Sequence, residues 1–245
     1  MAPKANQPMR PARDIYNPIF VRDLFDEMSG TYGAVNLLSS FGFSARWRKQ
    51  CADEIRFAPN QTIMDLMSGM GEMWPSIIAR SDNSRRLQAI EFSPQMCRHA
   101  CEKYSGLDIE LLEVDVLENR VPDSSVDVIT SGFGLKTFSD EQKVTLANQI
   151  ARMLKPGGQL SMIEISVPNL APLRLLYMVY LKFVIPLIGQ LFLGNPDNYR
   201  MLGVYTEAFR DCTKMTECLN AAGLAVSQKQ YFFGCATGII GRKQN

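Results

Sequence analysis

Asp65-Leu66-Met67-Ser68-Gly69-Met70-Gly71-Glu72 decides how this chain is read. It closes a buried-strand pattern, Thr62 to Met67, that is bounded upstream by Asn60, and it leads into a helix. Glycines at a strand-to-helix turn let the backbone approach a ligand closely. A dinucleotide fingerprint would need a small residue three positions after Gly71. Trp74 stands there instead, so a pyrophosphate would pack poorly against this turn and a ligand without phosphates fits better.

Outward from the turn, strands and helices alternate. Upstream, Phe20–Tyr32 and Ser44–Phe57 read as amphipathic helices. Downstream come a strand at Leu87–Glu91, a helix at Pro94–Tyr104, and strands at Ile109–Val114 and Val126–Ser131. A helix over Glu141–Leu154 is expected to stop at Lys155-Pro156-Gly157-Gly158, with a fifth strand over Gln159–Ser166. A greasy helical insert follows, about residues 168–212. Then come a helix at Lys214–Ala222 and strands at Ala225–Phe233 and Ala236–Gly241. Only Gly234-Cys235 separate the last two, which forces a hairpin. The expected fold is α/β: a Rossmann-like, seven-stranded, mostly parallel sheet ending in an antiparallel hairpin, with N-terminal helices and the insert after strand five.

Three acids, Asp65, Glu91 and Asp115, fall at three consecutive strand ends. In an open parallel sheet those ends converge on one crevice. Glu91 suits two ribose hydroxyls, Asp115 an adenine amino group, and Asp65 an ammonium. S-adenosylmethionine has all these groups and no phosphate.

The chain has 245 residues, 26 basic and 25 acidic, for a net charge of +1. That length gives one domain, over residues 19–245, with residues 1–18 as a disordered tail. A balanced charge provides no field for nucleic acid. Arg46-Trp47-Arg48-Lys49 and Arg85-Arg86 are the densest basic spots and read as solvated. Six cysteines, none in a CxxC pair, read as reduced thiols of a cytoplasmic protein, with no metal site. Arg174, Lys182 and Pro186 interrupt the apolar stretch Leu170–Leu193. Its longest uncharged piece, Phe183–Asn195, is too short to span a bilayer, but the stretch could touch a membrane surface.

From about Leu24 to Lys243 the chain resembles the quinone C-methyltransferases of ubiquinone and menaquinone synthesis. The segments that carry the likeness are Asn36-Leu37-Leu38-Ser39-Ser40-Phe41-Gly42 with Trp47, the Asp65 turn, Ser131-Gly132-Phe133-Gly134-Leu135-Lys136 and Leu154-Lys155-Pro156-Gly157-Gly158. Ile163-Glu164-Ile165-Ser166-Val167-Pro168 and Tyr199-Arg200-Met201-Leu202 complete it. Ser68 and Met70 replace the family's usual Gly and Thr, and Lys136 replaces its usual Arg. The resemblance implies S-adenosylmethionine as cofactor, held by Asp65, Gly69, Glu91 and Asp115. Met67, Ser68, Gly71, Phe92, Val116 and Ser131 would flank it, and Tyr32 would close over it.

Methylation of an aromatic carbon needs a neighbouring hydroxyl to lose its proton. Lys136 is the candidate to stabilise the resulting phenolate or to act as base. Glu164, Tyr199 and Arg200 are further catalytic candidates. The insert would be a lid over a hydrophobic small-molecule acceptor; a homodimer face or plain core is the alternative. Other readings stay open: a phospholipid amine or a natural-product O or N atom as acceptor, or a protein with a non-methylating or non-catalytic role.

Overall fold

The computed structural model describes residues 14–191 and 196–244. Two helices open the chain, α1 (Pro18–Ser39) and α2 (Phe43–Asp53). Then come β1 (Thr62–Leu66), α3 (Trp74–Ile78), β2 (Arg86–Glu91), α4 (Pro94–Lys103), β3 (Ile109–Glu113), β4 (Val126–Gly132), α5 (Asp140–Met153) and β5 (Leu154–Ile165). The insert is α6 (Ala171–Val179), a π turn (Tyr180–Val184), α7 (Ile185–Leu191) and α8 (Pro196–Phe209). α9 (Thr213–Ala221), β6 (Leu224–Tyr231) and β7 (Ala236–Lys243) close it.

The sheet order is β3-β2-β1-β4-β5-β7-β6. β7 runs antiparallel to both of its neighbours, and the pairs among β1 to β5 are parallel. The expected seven-stranded sheet with its terminal hairpin is therefore present. Strand order reverses between β1 and β4, so a crevice opens at the carboxyl ends of those strands.

Alternation along β1 explains the layering. Ile63 packs into one core cluster with Trp47, Trp74 and Phe133. Met64 and Leu66 point the other way, into a cluster with Leu146, Ile150 and Leu219. A third cluster joins α1 to the insert through Leu24, Met28, Leu181, Ile185 and Tyr205. α1 therefore runs on past Tyr32 to Ser39: Val35 and Ser39 extend its buried side.

Local signals set the helix starts. Ser93 caps α4, accepting from Met96 N, with Pro94 in the first turn. Ser139 and Gln142 form a reciprocal capping box on α5. The end of α5 differs from expectation. Leu154 is fully buried and already extended, so β5 begins there and not at Gln159. Val126 pairs with Leu154 but Val128 with Gln159, so Lys155–Gly158 loop out of the ladder. Pro156 cannot continue a helix, and Gly157 takes the left-handed backbone of the loop (φ 75°).

The tail expected over residues 1–18 lies outside the described residues as far as Arg13. From Asp14 the chain is packed: Tyr205 donates to Ile15 O at 2.5 Å and Gln142 Nε2 to Tyr16 O at 3.1 Å. These bonds strap the segment across the crevice.

Candidate active site

The crevice offers about 810 Å³ of space, its open mouth included. Met67, Ser68 and Gly69 line it from the β1 turn, Glu91 and Phe92 from β2, Asp115 and Val116 from β3, and Gly132 to Gly134 from β4. Two non-glycine residues at these strand ends take left-handed backbone, Met67 (φ 51°) and Phe133 (φ 72°). Such conformations cost about 1–3 kcal/mol and persist where the surroundings hold them. Gly69 (φ 57°) shares that geometry, and a methyl group there would sit 3.0 Å from Glu72 Oε2.

Glu91 is almost fully buried and heavily bonded. Its Oε1 accepts from Phe92 N at 3.0 Å and Ser93 N at 2.9 Å; its Oε2 accepts from Gly69 N at 2.8 Å. A carboxylate has about four acceptor sites, so one remains, on Oε2. Oε2 is therefore the freer oxygen towards the cleft, where the sequence reading expects ribose hydroxyls. Burial pushes its pKa up to about 6, against the lowering from those three N–H groups. Asp115 is half-buried. Its Oδ1 accepts from Leu117 N at 2.8 Å, and it faces the cleft.

Asp65, Ser131 and Gly71 are placed differently from expectation, since none of them lines the crevice. Asp65 is fully buried behind the turn, accepting from Thr130 Oγ1 at 2.8 Å. Burial pushes it up to about 7, opposed by that hydrogen bond. Ser131 is also fully buried. Gly71 (φ 78°) serves packing: a methyl group there would lie 2.5 Å from the Trp74 ring. The Tyr32 side chain lies outside the described residues.

The basic run on α2 is a clear correction. Arg46 and Lys49 are exposed as expected, but Trp47 and Arg48 are each only 6% exposed. Arg48 lines the crevice, with its guanidinium carbon 4.9 Å from the Phe133 ring centroid. Sequence reading also missed Glu72, an acid inside the glycine turn that faces the same space.

A second cavity of about 630 Å³ shares Phe25, Phe133 and Thr137 with the first. Its lining is mostly apolar, largely from α1, α7 and α8, and Lys136, Asn198 and Tyr199 are among its polar groups. Lys136, 6% exposed, donates to Glu164 Oε1 at 3.1 Å and to Phe133 O. Glu164 is fully buried and also accepts from Lys136 N at 3.1 Å and Ile165 N at 2.7 Å. Two catalytic candidates read separately from the sequence are thus one buried ion pair. An ammonium has three donors, so one is left for the cavity. Tyr199 is buried with its hydroxyl 2.6 Å from Thr31 Oγ1, and burial raises its pKa. Arg200 does not join them: it is exposed on α8, paired to Asp197, and lines neither cavity. Asn198 Nδ2, overlooked in the sequence, is buried without a hydrogen-bond partner among the described residues.

The first cavity fits S-adenosylmethionine. Acids sit at two strand ends beside apolar walls, and Ser68 Oγ, Glu72 Oε1 and Arg48 Nε are buried without partners among the described residues. Such polar atoms are costly unless a ligand bonds them. Fold and site together define a class I S-adenosylmethionine-dependent methyltransferase. The profile of the ubiE/COQ5 methyltransferase family matches residues 12–243, and the chain belongs to that family. The demethylmenaquinone methyltransferase of Thermus thermophilus is 32% identical to it, over 89% of this chain and 99% of that protein. The demethylmenaquinone methyltransferase of Listeria welshimeri is 29% identical, over 84% of this chain and 87% of that protein. Two solved structures share the fold. A SAM-dependent methyltransferase from Aquifex aeolicus has a TM-score of 0.55 at 19% identity, covering 79% of this chain and 88% of that one. The mitomycin 7-O-methyltransferase MmcR has a TM-score of 0.60 at 21% identity, covering 89% of this chain and 60% of that one.

Proposed function

We propose that this enzyme methylates a ring carbon of a reduced, quinone-like phenol that bears an apolar substituent. One observation carries the reading: Lys136, paired to the fully buried Glu164, lines an apolar cavity that shares Phe25, Phe133 and Thr137 with the cofactor cleft. The cofactor supplies the methyl group on its sulfonium. Glu91 and Asp115 orient its adenosine, and Phe133 sets the boundary between the two ligands. Lys136 presents its remaining N–H to the acceptor oxygen and stabilises it as an oxyanion. Glu164 holds the ammonium in place, and Asn198 offers an amide N–H. A cation facing the cavity suits a phenolate and opposes an ammonium acceptor, which favours a quinol over a phospholipid amine. The demethylmenaquinone activity of the Thermus thermophilus relative supports the same choice.

The insert at about 168–212 acts as the lid, and its outer side rests on a membrane. A third, apolar groove of about 940 Å³ shares Ser39, Ile165, Ile185 and Leu202 with the acceptor cavity and gives a tail its exit. Beside it the chain exposes Leu175, Leu176 and Phe183 from the insert, and Phe41, Phe232 and Phe233, all three at positive φ. Ala171–Leu191 forms a run of 21 residues, long and apolar enough to cross a membrane by composition, which the sequence reading did not credit. Leu181 and Ile185 bury one side of it in the core, which supports a helix lying on the surface. The free thiols support a reducing, cytoplasmic location.

Incubating the enzyme with methyl-labelled S-adenosylmethionine and reduced demethylmenaquinone tests the acceptor. A ring-methylated product is expected; labelled transfer only to an amine would overturn the reading. Flotation with phosphatidylglycerol-containing vesicles tests the membrane face, expected to fail in Phe183→Ser with Phe233→Ser. Wild-type dimers in sedimentation that never float would assign the face to self-association.

A further inference from the structure

We propose that Arg48 and Glu72 form a clamp for the zwitterionic, amino-acid end of the cofactor, Arg48 taking its carboxylate and Glu72 its ammonium. The inference rests on S-adenosylmethionine being the ligand of this cleft.

Arg48 is a buried cation without an ion pair among the described residues. It is 6% exposed, its Nε has no hydrogen-bond partner there, and it faces the cleft. A desolvated guanidinium is costly unless paired. The Phe133 ring lies beneath the guanidinium carbon, 4.9 Å from it. A guanidinium edge matches a carboxylate by two parallel N–H bonds. A methyl group at Gly132 would crowd Met73 at 3.0 Å but meet Arg48 Cγ at an ordinary contact distance of 3.7 Å, which places Arg48 beside the end of β4.

Glu72 has the opposite sign and the same exposure to the cleft. Its Oε2 accepts from Met70 N at 3.1 Å, while Oε1 is buried without a partner among the described residues. Both side chains act electrostatically on Asp65, which places them around the same strand end. Asp65 itself lies behind the turn, outside the cleft lining. An orphaned cation and an orphaned acid at the β1 end, with Glu91 and Asp115 further along, fit a ligand that is zwitterionic at one end and a nucleoside at the other. Of the two acids at this end, Glu72 is the one that lines the cleft, while Asp65, whose Oδ2 is also buried without a partner among the described residues, lies beneath the turn.

Calorimetry on the full chain separates the two ends. S-adenosylhomocysteine carries the amino-acid group; methylthioadenosine keeps the adenosine and thioether but lacks it. In Arg48→Met and in Glu72→Gln, S-adenosylhomocysteine should bind roughly 10- to 100-fold more weakly, the usual worth of a charged hydrogen bond. Methylthioadenosine should change by less than about twofold, because it never meets the clamp, and its binding also reports that each variant is folded. Arg48→Lys should recover part of the loss. Equal weakening of both compounds, or no weakening of either, overturns the clamp. A wild-type protein that binds neither compound overturns the cofactor reading itself.

Discussion

The cofactor cleft and the acceptor cavity share a wall at Phe133 but are built by different means. The cleft comes from strand ends: each of Met67, Glu91 and Asp115 stands within two residues of its strand. Its central acid is fixed by three backbone N–H groups. The acceptor cavity gathers Leu24 and Met28 from α1, Lys136 from the turn after β4, and Ile185 and Tyr199 from the insert. One site is organised around polar groups at strand ends, the other around apolar side chains from the helices. Substitutions on the two sides should separate cofactor affinity from acceptor handling.

The largest effect should come from the polar wall of the acceptor cavity. Lys136→Met removes the ion-pair partner of the buried Glu164 and should cost about 3–5 kcal/mol of stability. Adding Glu164→Leu should restore much of the denaturation midpoint without restoring turnover. If turnover returns with stability, Lys136 has no role towards the acceptor.

Next in size, Glu91→Gln should weaken S-adenosylhomocysteine binding by about 1.5–3 kcal/mol while leaving acceptor KM unchanged. A shift in acceptor KM alone would erase the division between the two sites. On the other side, a methyl group at Gly189 would lie 2.2 Å from the Tyr199 ring. Gly189→Ala should therefore cost about 1–3 kcal/mol by overpacking and raise acceptor KM, with cofactor affinity kept.

The smallest and most specific effect is with pH. Glu91 and Asp65 have folded pKa values of about 6 and about 7, above the ordinary 4.5 and 3.8. Their stabilising contribution is full below the unfolded values and is lost as pH rises from about 4 to about 7, because the folded state holds its protons longer. Ligand binding should run the other way. Ionised Glu91 is the better acceptor for a ribose hydroxyl, so affinity should fall at pH below about 6, by at most about tenfold per unit. Stability and affinity titrated on the ligand-free protein should thus slope in opposite directions between pH 5 and pH 7. Parallel slopes would show that Glu91 does not meet the ligand.

The cleft was largely legible because its signals are short-range. Strand periodicity placed Glu91 and Asp115, and the glycine turn placed Gly69. Asp65 lies beneath the turn and outside the cleft lining, which no local pattern records, because a strand-end acid looks the same whether it faces the crevice or the core. Arg48 was hidden in a basic run, although Cys51 and Ala52, three and four residues on and fully buried, share its helix face. Arg200 looked catalytic beside Tyr199, yet adjacent helical residues point in different directions, and only Tyr199 turns inward. The Lys136–Glu164 pair spans 28 residues and follows from β4 and β5 lying side by side.

By itself the sequence determined the sheet, its closing hairpin and the crevice at the carboxyl ends of β1 to β3, because period-two and helical patterning act over a few residues. Tertiary structure alone decided which polar atoms face a ligand. It turned Asp65 inward, brought Arg48 and Glu72 to one end of the cleft, and closed an apolar cavity around Lys136. Burial and pairing depend on which distant segments pack together, and no local pattern records that.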